Sequence, residues 1–339
     1  AALLGLTGDV RLDVVVEPEA KVLALKEQIA VRLHVPVLFQ VLILQALVLC
    51  DDEPVAVHHP GGSEVLLVTI LVSFQLAWRC LKAGSEAEKT EALRGLAERG
   101  IVGGDRSAIA AAALEDRSKD VRETAVQVLG IVGSEDYRCA VSAVTARLES
   151  RFEDVRFAAA QALMGVARRG DEEALAPLRP HLADNSSDVR EMAVSAFGEI
   201  APRGDPAAID LVLEHVHDHS MDVRWRALEA LGKLVEEKGD ERLIDAVVEC
   251  LEMHNTFVRR WAVEVLSKVA EQGDRRAIGL VAARLDHPVD DVRMSAGVAL
   301  SSIAAKGDEF AIGRLDALLK HADPGVRLSA IAARRALLR

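Results

Sequence analysis

The chain has 339 residues, half of them apolar and only 3% aromatic, with 41 basic groups against 53 acidic ones and a formal net charge of −12. That is enough apolar material for more than one domain. Residues 1–84 carry 6 basic and 9 acidic groups and the rest carry 35 and 44, so neither part offers the positive face that phosphate-backbone binding needs.

In chain order, Leu3–Leu6, Thr7-Gly8 and Val10–Val16 predict a strand, a tight turn and a second strand, closed by Glu17-Pro18. Val22, Leu25, Lys26 and Ile29 carry helical spacing, and His34-Val35-Pro36 stops that helix. Val41–Leu44 and Leu47–Leu49 are short apolar strands, Asp51-Asp52-Glu53 and the loop around Pro60-Gly61-Gly62 follow, and Val65–Leu71 is a last strand. The apolar runs Val35–Cys50 and Val65–Trp78 are shorter than the ~18–20 residues a membrane span needs, so buried strands account for them. Phe74–Lys82 predicts a helix leading onward.

The order hairpin, helix, short strands, last strand resembles the ubiquitin-like β-grasp family. The pieces that carry it are LTG at Leu6–Gly8, VEP at Val16–Pro18, VLALKEQI at Val22–Ile29, HVP at His34–Pro36 and QVLIL at Gln40–Leu44. The resemblance implies a small α+β domain over residues 1–72. It also implies that Val41, Ile43, Leu66 and Val68 fall on the sheet face ubiquitin uses for recognition, here wholly apolar. Conjugated members end in Gly-Gly, whereas Val72-Ser73-Phe74 runs straight on, which implies a built-in domain and not a transferable modifier.

Residues 73–84 read as a linker or the start of a capping helix, and from Ser85 the pattern is helical. Glu88–Arg99 places Ala92 and Leu96 at repeat spacing without a Val-Arg pair, as an N-terminal cap would. Val-Arg then recurs at Val121-Arg122, Val155-Arg156, Val189-Arg190, Val223-Arg224, Val258-Arg259, Val292-Arg293 and Val326-Arg327, spaced by 34 residues with one step of 35. Counting from each valine, an alanine stands at +4 in every unit, and leucine or phenylalanine stands at +8 in all but the last, which has Arg334. A leucine or valine at −7 ends a first helix. Gly-Asp pairs at 170, 204, 239, 273 and 307 mark the loops, the glycine expected to end one helix in a left-handed residue and the aspartate to cap the next. Such a period is the signature of a solenoid whose units bury their apolar faces against neighbours. Arg334 in the last core position marks a C-terminal cap.

The DVRxxAxxALG-like run resembles HEAT repeats of the bilin-lyase subclass; the Trp-Leu-Gly-Tyr pattern of tetratricopeptide repeats is absent. The expected fold is mostly α: a HEAT-repeat α-solenoid, a right-handed superhelix of a cap and seven units over 85–339, preceded by the small α+β ubiquitin-like domain.

At ~100° per residue, positions 0, +4, +8 and +11 form the core face, and +1 lies at its edge. The seven arginines there predict a stacking ladder, each bonded to an aspartate or a helix-end carbonyl of an adjacent unit. Positions +2, +3 and +6 point outward and vary. They hold Phe157, Trp225, Arg260, Met294 and Leu328 at +2 and Met192, Arg226 and Trp261 at +3, which is the vocabulary of protein interfaces. Packing against neighbouring helices or against the ubiquitin-like domain is the competing reading of the same residues. His215, His217 and His219 offer only one i, i+4 pair at a helix end, so a solvated turn is expected there and no metal site. Cys50, Cys80, Cys139 and Cys250 are far apart and read as buried thiols of a reducing intracellular compartment, cytoplasm or organelle. The chain starts Ala1-Ala2, so a removed targeting segment would not be visible in it.

The expected function is a non-enzymatic protein-interaction scaffold or adaptor, with protein partners, no cofactor and no nucleic acid. Such a surface also suits a subunit of a larger complex. A bilin or chromophore lyase, or a chaperone of a pigment-protein complex, is the alternative that the repeat resemblance implies. Deoxyhypusine hydroxylase holds iron with His-Glu dipeptides, and none occurs here; nor does the tryptophan-asparagine array of armadillo importins.

Overall fold

The computed structural model describes residues 2–4, 20–33, 36–37, 40–44, 47–49, 51–54, 67–72, 74–97 and 106–338. The chain divides into two compact units, Ala1–Ser150 and Arg151–Arg339.

The first unit opens with β1 (Ala2–Leu4), α1 (Val22–Leu33), β2 (Gln40–Leu44), β3 (Leu47–Val48) and β4 (Leu67–Val72). The described strands form one sheet in the order β1-β4-β2-β3, with β1 parallel to β4 and β2 antiparallel to both β4 and β3. Successive strand residues alternate faces, so register sorts them. Val41 opposes Leu71, Ile43 opposes Thr69 and Leu42 opposes Ile70. Leu66 and the expected second strand at 10–16 lie outside the described residues. Val22, Leu25, Ile29, Leu42 and Gln40 are buried, and Gln40 Nε2 donates to Lys26 O at 2.9 Å, which seats α1 on the Leu42 face.

The same unit continues with α2 (Gln75–Ala83), α3 (Glu86–Leu96), α4 (Arg106–Ala112), α5 (Lys119–Val132) and α6 (Tyr137–Thr145). Ser85 and Glu88 form a reciprocal capping box at the start of α3. Ala92 and Leu96 are buried, and α3 packs on α5 as α4 packs on α6.

The second unit contains α7 (Glu153–Val166), α8 (Glu172–Leu178), α9 (Ser187–Ile200), α10 (Pro206–Leu213), α11 (Met221–Leu234), α12 (Glu241–Glu249), α13 (Thr256–Val269), α14 (Arg275–Ala283), α15 (Asp290–Ile303), α16 (Glu309–Leu318) and α17 (Pro324–Leu337). The helices that carry Val-Arg stack in one row, α7 to α17 by odd numbers, and α12, α14 and α16 stack in a second layer. Every alanine at +4, and every leucine or phenylalanine at +8, is at most 1% exposed. Arg334 is half-exposed and pairs with Asp316 at 2.7 Å, as a capping unit requires.

Two devices hold units in register. Gly170, Gly204, Gly239, Gly273 and Gly307 adopt positive φ, and each N–H donates to the last carbonyl of the next Val-Arg helix at 2.6–2.9 Å: Ile200, Leu234, Val269, Ile303 and Leu337. The helices themselves end earlier, at extended residues such as Ala167 and Ala201. The glycines are thus stitches between units, not the helix ends expected. Asp171, Asp205, Asp240, Asp274 and Asp308 do cap the following helices.

The arginines form the second device. Arg122, Arg190, Arg224, Arg259, Arg293 and Arg327 each donate Nη1 to the carbonyls five and six residues back, at 2.6–3.3 Å, fixing the turn of their own unit. The carbonyls therefore belong to the arginine's own unit, and only the carboxylate comes from the neighbour. Arg156 grips Asp184 with two bonds of 2.7 Å, and Arg190 grips Asp218 with two of 2.9 Å. The equivalent position facing Arg224 holds Met253, whose backbone (φ −64, ψ 140) matches that of Asp184 (φ −60, ψ 148). Arg224 Nε is accordingly buried without a hydrogen-bond partner. Arg259 turns to Asp291 instead, at 3.0 Å, and Arg293 to Ser329 at 3.4 Å.

Burial pushes the Asp184 carboxyl up, but Arg156, the Ser186 N–H and His181 overcome it and hold the group down to about 2, from 3.8. A carboxyl depressed in the folded state adds stability above its unfolded pKa that is lost as pH falls through the folded one. Thermal melts should therefore lose this contribution between pH about 4 and about 2. Asp184→Asn should flatten that limb; an unchanged acid profile would contradict the clamp. Arg190→Ala should cost roughly 2–4 kcal/mol and Arg224→Ala clearly less. Met253→Asp should raise the melting temperature by giving Arg224 its missing partner. Equal costs for the two arginines, or no gain from Met253→Asp, would show that the carboxylate does not carry the clamp.

Candidate protein-binding face

The row of Val-Arg helices presents its +2, +3 and +6 positions on the side away from α12, α14 and α16. Two regions of that face differ in kind.

The first is centred on α11. Trp225 and Trp261 stack, with ring centroids 6.3 Å apart and planes 28° apart, and the Arg226 guanidinium lies 3.9 Å from the Trp225 ring. Arg226 also donates to Glu191 at 3.0 Å and to Glu229 at 2.9 Å, and Lys233 bridges Glu229 and Glu199 at 2.9 and 2.8 Å. Burial opposes ionisation of Glu229, but Lys233 and Arg226 outweigh it and hold its carboxyl below the usual range. Trp225, Trp261, Arg226 and Phe157 are all half-buried. Arg226 is committed to its own chain, where it fixes the Trp225 plane and links neighbouring units.

Met192, expected on this face, is only 7% exposed. Its helix comes so close to α11 that a Cβ on Gly198 would lie 2.5 Å from that of Ala230. At that separation the flanks of α9 are covered, and Ser195 is buried too. Exposure on this face therefore rises where neighbouring helices stand further apart.

They do so in the last three units, the second region. Met294 is 62%, Val298 61%, Leu328 66% and Phe257 67% exposed. Two furrows run between the helices. One of about 460 Å³ lies between α13 and α15, lined by Phe257, Arg260, Trp261, Met294 and Val298 among others. The other, of about 580 Å³, lies between α15 and α17, with Met294, Val298, Leu328 and Ala332 on its walls. Met294 and Val298 form the ridge they share. Arg260 is exposed at the edge of the first. Arg260, Trp261, Met294 and Leu328 lie along these furrows, together with Phe257 and Val298, which the sequence pattern did not single out. Val298 stands at +6 and could have been read from the same pattern. Of the sheet residues, Val41, Ile43 and Val68 lie on β2 and β4, and Leu66 lies outside the described residues.

Histidines and cysteines depart from expectation in a consistent way. His181 is buried and His215 half-buried, each three residues before a clamp aspartate, with His181 Nδ1 at 3.3 Å from Asp184. Burial pushes the His215 imidazole down, against the opposing pull of Asp218. These two belong to the packed junction and not to a solvated turn, whereas His217 and His219 are exposed. Cys250 is buried, its thiol pushed up to about 12 by desolvation, but Cys139 is exposed and Cys80 half-exposed. Among the described residues no helix is long and apolar enough to cross a membrane, and no His, Cys, Asp or Glu group could hold a metal ion.

Among solved structures, an engineered protein is similar at 18% identity over 78% of both chains, with a TM-score of 0.45. YibA of Escherichia coli is similar at 21% identity over 78% of this chain and 93% of its own, with a TM-score of 0.46. A designed armadillo repeat protein in complex with the peptide (KR)4 is similar at 20% over 68% and 98%, with a TM-score of 0.37. No curated protein matches. HEAT repeats match residues 107–198, 141–232, 177–267 and 217–301, more than half of the chain taken together, and the protein belongs to the HEAT-repeat family.

Proposed function

We propose that the protein is a non-enzymatic interaction scaffold that binds a protein partner on the outward face of its Val-Arg helices. The observation that carries this reading is the exposure of Phe257, Met294, Val298 and Leu328 side by side along two furrows. Clustered large apolar side chains are seldom left to water and mark interaction sites. Trp225 and Trp261, held by their stack and by Arg226, supply rigid aromatic surface beside it.

We further propose a ubiquitin-like domain over residues 1–72. The motif order quoted above supports it, together with a sheet in which the first strand runs parallel to the last and α1 covers one face. The bilin-lyase subclass rests only on the DVRxxAxxALG-like run.

Affinity capture with mass spectrometry tests the scaffold reading. Leu328→Asp and Trp225→Ala should each remove the proteins that wild type enriches, Leu328→Asp with little change in melting temperature. Ala317→Asp, which puts the same charge at an exposed position of α16, should retain them. Equal capture by all four forms would refute the assignment of the face.

A further inference from the structure

We propose that the occupant of the two furrows is an amphipathic helical segment of a partner protein with acidic residues flanking its apolar stripe. The inference rests on the scaffold reading above and adds the chemistry of what is bound.

The apolar part follows from the ridge and its walls. Met294 and Val298 project between Phe257 and Trp261 on one side and Leu328 on the other, so a segment crossing α13, α15 and α17 meets apolar surface on all three helices. Packed helices stand ~8–10 Å apart, so that crossing covers about 16–20 Å, which a helix of roughly 11–13 residues spans at 1.5 Å per residue. Side chains at i, i+3, i+4 and i+7 of such a helix can drop into both furrows.

The acidic part follows from which charges are already satisfied. Four charged residues line the furrows: Arg260, Glu264, Asp290 and Arg293. Glu264 is paired with Lys268 at 3.1 Å and Asp290 with Arg293 at 2.8 Å. Arg260 is exposed and has no ion pair among the described residues. Arg335, also exposed and unpaired among them, is two turns beyond Leu328 on the same side of α17. The uncompensated charge at the groove is therefore positive at both ends, in a chain whose net charge is −12. Complementary charge selects the partner and its orientation, while the apolar ridge supplies the contact area.

Two fluorescent synthetic peptides on the full chain test this by anisotropy. Both carry leucines at i, i+3, i+4 and i+7; one is flanked by glutamates and the other by lysines. The glutamate peptide should bind at least about tenfold more tightly at low salt, with the preference shrinking as salt is raised. Arg260→Glu with Arg335→Glu should abolish or invert the preference at unchanged melting temperature, and Leu328→Asp should remove binding of both peptides. Equal or better binding of the lysine peptide, or binding of neither, would overturn the proposal. So would binding of phosphatidylserine vesicles but not the glutamate peptide, or sedimentation showing a dimer that Leu328→Asp dissociates. If Leu328→Asp removes captured proteins while the peptides show no charge preference, the scaffold reading stands and this inference falls.

Discussion

The arginine that follows each repeated valine is the constraint on which the rest depends. At Arg190 its Nη1 closes the turn of its own unit, and its Nε and Nη2 grip a carboxylate in the next. One side chain therefore sets both the shape of a repeat and its register on the neighbour. Arginines are tolerable in a packed edge because backbone carbonyls, and at several junctions carboxylates, satisfy them; a buried guanidinium without partners would cost several kcal/mol. Where the carboxylate is present, as at Asp184 and Asp218, the junction is held by two charge-assisted bonds. Where Met253 replaces it, the turn survives but the junction relies on apolar packing and on the Gly239 stitch to Val269. A repeat protein is stabilised by such neighbour terms added along the stack, so unequal clamps mean unequal units.

That inequality has a counterpart on the outward face. In the clamped region α9 and α11 meet at Gly198 and Ala230, and the gap between them is closed. In the last three units the helices stand further apart, with the nearest atom to a Cβ on Gly297 at 3.8 Å, and furrows open between them. The interior positions stay alanine and leucine throughout, so the solenoid keeps its frame while the outer residues change from a self-satisfied ion network around Arg226 to bare apolar surface around Met294.

Much of this was legible in the sequence because stacked repeats make structure periodic. The alanines at +4 and leucines at +8 are buried wherever the count placed them, and the loop aspartates cap as their position requires. The junction carboxylates were not legible, because they stand five residues before the valine, in a turn where Asp, Ser, Met and His alternate and no pattern recurs. Met192 was misread because exposure at +3 depends on how near the adjacent helix lies, which Gly198 sets from six residues away. Cys139 shows that apolar type alone does not bury a residue on a short helix with one covered side.

Hydrogen exchange of the full chain, followed by mass spectrometry for wild type and Asp218→Asn, tests the central claim most directly. The account predicts that Asp218→Asn speeds exchange in α9 and α11, on the two sides of the clamp, while α15 and α17 exchange as in wild type. Unchanged protection in α9 and α11, or an equal loss in all Val-Arg helices, would contradict the claim that each arginine clamp holds its own junction.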